Sequence, residues 1–175
     1  MAHFPLNPEI AALVVDIPMP AGHGLSVPAH LDGYTFNYSL GEFHHHLFYA
    51  NSSFHYGMSD RDFPDIDVEV SSPDREIVER ALLLNIGQLY RSYNRLPSLR
   101  LPDQQPQAGY ELVPVRPHIV TLRHPDGSLL PMELRETGGG SSEGARYSYV
   151  ADVPVSDLAR SYAAADARPS LAAYL

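Results

Sequence analysis

Three stretches of the sequence predict a single-domain α+β fold built on a mainly antiparallel sheet. GYTFNYSL at 33–40 and DIDVEV at 65–70 alternate apolar and polar residues, the two-residue period of a strand buried on one face. The segment that follows SSPD has helical spacing and predicts one long helix over about 73–95. HIVTLRHPDGSLLPMELR at 118–135 places two strand-like runs around Pro125, Asp126 and Gly127, which predicts a hairpin. Strands, a helix, more strands and then a short C-terminal helix form an α+β order rather than a βαβ alternation.

Taken in order, the elements have local reasons. Prolines crowd an N-terminal arm, 1–28, and a loop, 97–117, and interrupt regular structure there. FHHHLFY at 43–49 follows Gly41 and Glu42 and pairs naturally with the preceding strand as a hairpin. Ser72 is a cap for the long helix, Pro73 suits its first turn, and Asp74 and Glu76 complement its positive end. At about 100° per residue, Val78, Ala81, Leu82, Leu89 and Tyr93 form its apolar face. Arg75, Glu79, Arg80, Gly87, Arg91 and Asn94 form a polar arc, into which Leu83 and Tyr90 intrude as contacts for another element or another chain. Pro131 predicts an edge or bulge in the second strand of the 118–135 hairpin. TGGGSSEG at 137–144 reads as a loop, RYSYVADV at 146–153 as a strand, and Ser156 as the cap of a short helix reaching Asp166.

Composition excludes several chemistries. The 175 residues include no cysteine, so disulfides, thiolate zinc sites and thiol nucleophiles are absent. All basic residues are arginine, a bias expected of a GC-rich genome, and lysine chemistry is excluded with them. A net charge of -9 opposes attraction to nucleic acid or anionic lipid and leaves proteins or small molecules, with a protein, self or foreign, as the expected partner. The N-terminus has a short apolar run, Ile10 to Val15, without a basic flank or cleavage site, and no stretch reaches the ~20 apolar residues of a membrane span. The expectation is a soluble protein, cytoplasmic or part of a soluble assembly, not exported by a standard signal peptide.

Two stretches carry candidate chemistry. Strand alternation puts His44 and His46 on one face and turns His45 toward Phe43, Leu47 and Tyr49. His55 on the next strand would complete a three-histidine site for a divalent transition metal if the register placed it opposite, with His23 and His30 as further candidates. The His-x-His spacing is that of the cupin metal motif, but Tyr38 and Ala50 or Asn51 stand where that motif has glycine and glutamate, so the family is not assigned. Asp65 and Asp67 resemble the paired aspartates with which nucleotidyltransferases hold magnesium; Met58 after Gly57, the short spacing to Asp65 and the missing third carboxylate depart from that pattern. The same residues, with Asp60 and Asp62, form an acidic run suited to a basic protein surface.

From Tyr34 to Ser59 the only formal charge is Glu42. A wet antiparallel face normally carries charge, so this aromatic sheet, with Tyr34, Phe36, Tyr38 and Phe48, is expected to be covered by the rest of the chain or by a partner. The preferred reading is a non-enzymatic assembly or interaction protein, a homo-oligomer or a component of a larger complex, needing no cofactor. Its expected partner surface comprises Tyr34, Phe36, Tyr38, Phe48, Leu83 and Tyr90 with Asp60, Asp62 and Asp65. The first alternative is a metal-dependent enzyme centred on His44, His46 and His55; the second is an acidic inhibitor or immunity-type protein that masks a basic partner.

Overall fold

The computed structural model describes residues 6–17, 34–40, 43–60, 65–137 and 140–175, with residues 34–40 described by backbone alone. Among them, seven strands form one antiparallel sheet in the order β1-β2-β3-β4-β7-β6-β5. β1 (Tyr34–Leu40), β2 (Phe43–Ala50), β3 (Ser53–Asp60) and β4 (Asp67–Ser72) make one meander, and β5 (Glu111–Arg116), β6 (Ile119–Arg123) and β7 (Glu133–Arg135) make the other. Two residue pairs, Val70 with Leu134 and Ser71 with Glu133, join the meanders at the β4–β7 seam.

The local chemistry explains the strand ends. Ala50 pairs with Ser53, and the two residues between them, Asn51 and Ser52, have φ of 51° and 62°, the positive pair that a tight hairpin turn requires. Between β3 and β4 the register slips: Tyr56 pairs with Val70 and Gly57 with Val68, leaving Glu69 as the extra residue of a bulge. Position 57 must be glycine, because a Cβ there would lie 2.5 Å from the Asp67 carbonyl oxygen.

One face of the sheet is covered by α2 (Arg75–Tyr93) and α3 (Glu143–Ser148), and α2 is covered in turn by α1 (Pro8–Val15) and α4 (Val155–Ala163). The core is therefore continuous from Leu47, Tyr56, Val70 and Leu134 on the sheet, through Val78, Leu82 and Ile86 of α2, to Leu158 and Tyr162 of α4. With α2 enclosed along much of its length, Glu79, Arg80, Gly87 and Arg91 of the arc that reads as polar in the sequence are buried, while Asn94 at its end stays exposed. A Cβ on Gly87 would stand 2.4 Å from the Tyr162 ring. Leu83 is 0% exposed, so it meets the chain's own elements and is not offered to a partner.

The charged members of that arc are internally solvated. Arg91, fully buried, donates to Pro97 O at 2.6 Å and to the carbonyls of Ser161, Tyr162, Ala164 and Ala165 at the end of α4. A guanidinium thus satisfies carbonyls that a helix C-terminus leaves without partners. Buried Glu79 accepts from the Arg75 guanidinium at 2.5 Å and from the backbone N–H of Asn7, which ties α1 to α2. Arg80 donates to Val153 O at 2.7 Å.

Several expectations need correction. The 1–28 arm contains a helix, α1, capped by the Asn7 side chain and buried through Ile10, Leu13 and Val14. The cap of α2 is Asp74, which accepts from Glu76 N, while Ser72 Oγ accepts from Asp74 N. Residues 146–153 are not a strand. Ser142 Oγ accepts from Ala145 N and starts α3, and Tyr147, Val150 and Ala151 are buried at helical spacing, which overrides the alternation of the tyrosines. Pro131 ends the 118–135 pairing early: β7 is reduced to Glu133–Arg135, and β6 takes its longer partnership with β5. Tyr93, placed on the apolar face by spacing, is 44% exposed at the last turn of α2.

Candidate functional site

The β2–β3 hairpin has two unlike faces. Away from the helices lie His44, His46 and Phe48, with Ser59, Gly57 and His55 as their respective partners on β3. The register thus puts His55 opposite Phe48, not opposite His46. Its ring stacks on Phe48 at 5.0 Å, its Nδ1 bonds Ser71 Oγ at 2.7 Å, and its Nε2 donates to Ala50 O at 3.0 Å. Both nitrogens of His55 are committed to this cross-strand packing. His46 Nε2 bonds Ser59 Oγ at 2.7 Å, and the His44 and His46 rings lie 6.3 Å apart. No group of three histidine, aspartate or glutamate side chains suited to one metal ion occurs among the described residues. The alternation along β2 keeps His44 and His46 on one face, but the register carries His55 to Phe48, so the described residues do not gather the three rings around one point. His23 and His30 lie outside the described residues.

Toward the helices, β2 presents Phe43, His45 and Leu47, paired with Asp60, Met58 and Tyr56. His45 is buried and shares a 2.9 Å hydrogen bond with the Tyr56 hydroxyl. Burial first, and then the nearby His46 and His44 rings, lowers its pKa to about 4, so it is neutral near neutral pH. His46 is also brought down to about 4, by burial and then by His44. Within the hairpin that looks like a cation-binding run, His45 and His46 are neutral imidazoles serving as hydrogen-bonding partners to hydroxyl groups.

Beyond His45 the sheet and α2 diverge. α2 packs chiefly on β3 and β4 and only lightly on β2. Between its C-terminal half and the hairpin lies an open groove of about 610 Å³ lined by Phe43, His45, Met58, Leu84, Leu89 and Tyr93. Phe43 is 51% exposed, so its two large aromatic side chains, Phe43 and Tyr93, are only half covered. Asp60 is the β3 partner of Phe43 and Asp67 the β4 partner of Met58, which puts both carboxylates next to groove-lining positions; Asp65, exposed, lies just before β4. Asp67 pairs with Arg135. Asp62 lies outside the described residues, as do the side chains of Tyr34, Phe36 and Tyr38, whose backbone positions fall on the edge strand β1. Tyr90 is half-buried and packs against the core, and Phe48 belongs to the opposite face.

Two polar clusters lie outside this region and escape the sequence reading. The bulge directs Glu69 into a water-sized cavity of about 20 Å³ with Asn85, Glu143 and Tyr147. Burial, and then the nearby Glu143 carboxylate against the attraction of Arg146, raises the Glu69 pKa to about 7. At the turn after β6, His124 pairs with Asp126 at 3.0 Å, and the Tyr110 hydroxyl donates to Asp152 at 2.7 Å. Neither group has a signature in the sequence: a bulge brings in the first, and the second joins residues from three separate segments.

A family model for Immunity protein 61 matches residues 20–170. The chain belongs to this family. Membership implies a protein partner, and the match covers the groove, the hairpin and the helices α2, α3 and α4. Among solved structures, Rv3902c from M. tuberculosis has the same fold, with a TM-score of 0.71 over 97% of each chain at 17% sequence identity. That likeness is one of fold alone. No curated protein sequence matches the chain. Among the described residues no helix is long and apolar enough to cross a membrane.

Proposed function

We propose that this protein is an immunity protein that binds a toxic polypeptide and neutralises it by steric and electrostatic masking, without chemistry of its own and without a cofactor. The observation that carries the reading is the family match over residues 20–170. The net charge of -9 supports it, because an acidic inhibitor is drawn to the basic surface with which many toxic enzymes bind their substrates. The acidic run Asp60, Asp62 and Asp65 is the part of the sequence to which we assign that first attraction. Self-assembly, which the aromatic sheet suggests by itself, takes second place, since an immunity family points first to a foreign protein.

The test is growth rescue. Cells expressing the cognate toxic polypeptide should survive when this protein is co-expressed, and the two should co-elute as a stoichiometric complex. Continued killing together with separate elution of the two chains would defeat the proposal.

A further inference from the structure

The turn that follows β6 is arranged around one histidine, His124. Its Nδ1 lies 3.0 Å from Asp126 Oδ1 and 3.3 Å from the backbone nitrogen of the same residue. Its Nε2 lies 3.4 Å from Asp152 Oδ2, in the segment between α3 and α4. The two partners of Nδ1 exclude each other, because an unprotonated nitrogen accepts from the N–H and a protonated one donates to the carboxylate. We infer that His124 is a proton-operated latch between this turn and the α3–α4 segment: the protonated ring holds both carboxylates, and loss of its proton exchanges Asp126 Oδ1 for the Asp126 N–H.

The surroundings keep both carboxylates in place while the ring changes state. Asp126 Oδ1 accepts from Ser128 N at 2.8 Å and from Ser128 Oγ at 2.6 Å. These bonds, and then His124, bring the Asp126 pKa down to about 2, so it stays charged. Asp152 accepts from the Tyr110 hydroxyl at 2.7 Å, and the Tyr110 and His124 rings meet edge to face with centroids 5.4 Å apart. Burial and then the Asp152 carboxylate push the Tyr110 hydroxyl up, so it remains a donor. The nearby cations have other partners: Arg123 pairs with Glu111, and Arg80 of α2 donates to Val153 O, next to Asp152. The His124 side chain is 28% exposed, so solvent can deliver the proton. Its hydrogen bond to Asp126, set against partial desolvation and joined by the charge of both carboxylates, raises its pKa above the ordinary value. Fastening is therefore complete below about 6.5, where an unfolded histidine titrates, and is lost as pH rises through the higher folded value. The turn secured in this way is closed by the His124 N–H on Ser128 O and the Gly127 N–H on His124 O, both at 2.8 Å.

The experiment is an imidazole nitrogen NMR titration of the full chain, with no toxin present, so its outcome is separate from the immunity reading. His124 should titrate above about 6.5, with its neutral form carrying the proton on Nε2. Asp126→Asn and Asp152→Asn should each lower that midpoint while keeping the hydrogen bonds from Ser128 and Tyr110, which an amide oxygen also accepts. Below the midpoint, the amides of His124 and Gly127 should exchange about two- to fivefold more slowly than above it, after correction for intrinsic rates. In Asp152→Asn that difference should shrink. A histidine that only packs on Tyr110 would titrate at or below 6.5, or ignore both substitutions, and either result overturns the latch. A neutral ring with its proton on Nδ1, or turn amides whose protection does not follow the titration, overturns it as well.

Discussion

Two of the regions in which polar side chains are buried solve the problem in opposite ways. At the α2–α4 seam, Arg91 keeps its charge in a place without water because carbonyl oxygens of α4 and of Pro97 replace the water it has lost. In the β2–β3 hairpin, His45 and His46 give up their charge and bond hydroxyl groups of Tyr56 and Ser59. The difference follows from how readily each group sheds a proton: a guanidinium stays charged and must be matched by acceptors, whereas an imidazole can become neutral. The seam is therefore indifferent to pH and intolerant of truncation, and the hairpin is sensitive to pH and milder in its response to mutation.

The strongest way to break this contrast is at the seam. Arg91→Ala would leave several buried carbonyls without donors, and we expect a loss of about 3 kcal/mol or more in the free energy of unfolding, read from denaturant midpoints. Arg91→Lys should recover only part of it, since one ammonium cannot span acceptors on both α4 and Pro97. Gly87→Ala tests the same seam by shape. In an exposed helix the change usually gains up to about 1 kcal/mol, but here the new Cβ meets the Tyr162 ring, so we expect a loss of roughly 1–3 kcal/mol. A stabilised variant would show that α4 can move off α2.

The hairpin is tested by acid. His45 and His46 titrate at about 4 in the folded chain, whereas an unfolded histidine titrates near 6.5. The unfolded state therefore gains protons first, and stability falls as pH drops from about 6.5 to about 4. Glu69 opposes this trend. Its pKa, raised to about 7 among Glu143, Arg146 and Asn85, gives stability that is full below about 4.5 and lost as pH rises through 7. Glu69→Gln should thus steepen the decline in melting temperature from about pH 6.5 to 4.5 and raise it in mild alkali; an unchanged profile would mean that the bulge carboxylate is solvated. The smallest effect belongs to the outer meander, where Arg116 and Glu133 pair at 2.5 Å with both side chains about half exposed. Arg116→Ala should change stability by no more than about 1 kcal/mol.

The same contrast shows what could be seen in the sequence. The fold class was legible because β1, β2, β4 and α2 carry strong local periods, and these emerge close to their expected limits. Polarity on α2 misled, because Glu79, Arg80 and Arg91 look like solvent-facing residues until α1 and α4 are laid over them; no local pattern announces a second helical layer. The helix at 143–148 was hidden behind the alternating tyrosines, and its Ser142 cap was the available signal. For the candidate site, the separation of His45 from His44 and His46 followed from strand alternation alone. Pairing His55 with Phe48 required the turn at Asn51 and Ser52, and the groove required α2 in three dimensions; one step of register or a few degrees of helix tilt would have erased either.

The seam between β4 and β7 has a kinetic consequence. Each meander is stitched by short connections, so both can nucleate locally and early. Their union depends on Val70 finding Leu134 and Ser71 finding Glu133, partners roughly sixty residues apart whose meeting must close over the whole of α2. Collapse of the two meanders onto α2 is then the slow, committing event of folding, and until it happens the edges of β4 and β7 stand open to pairing with a neighbouring chain.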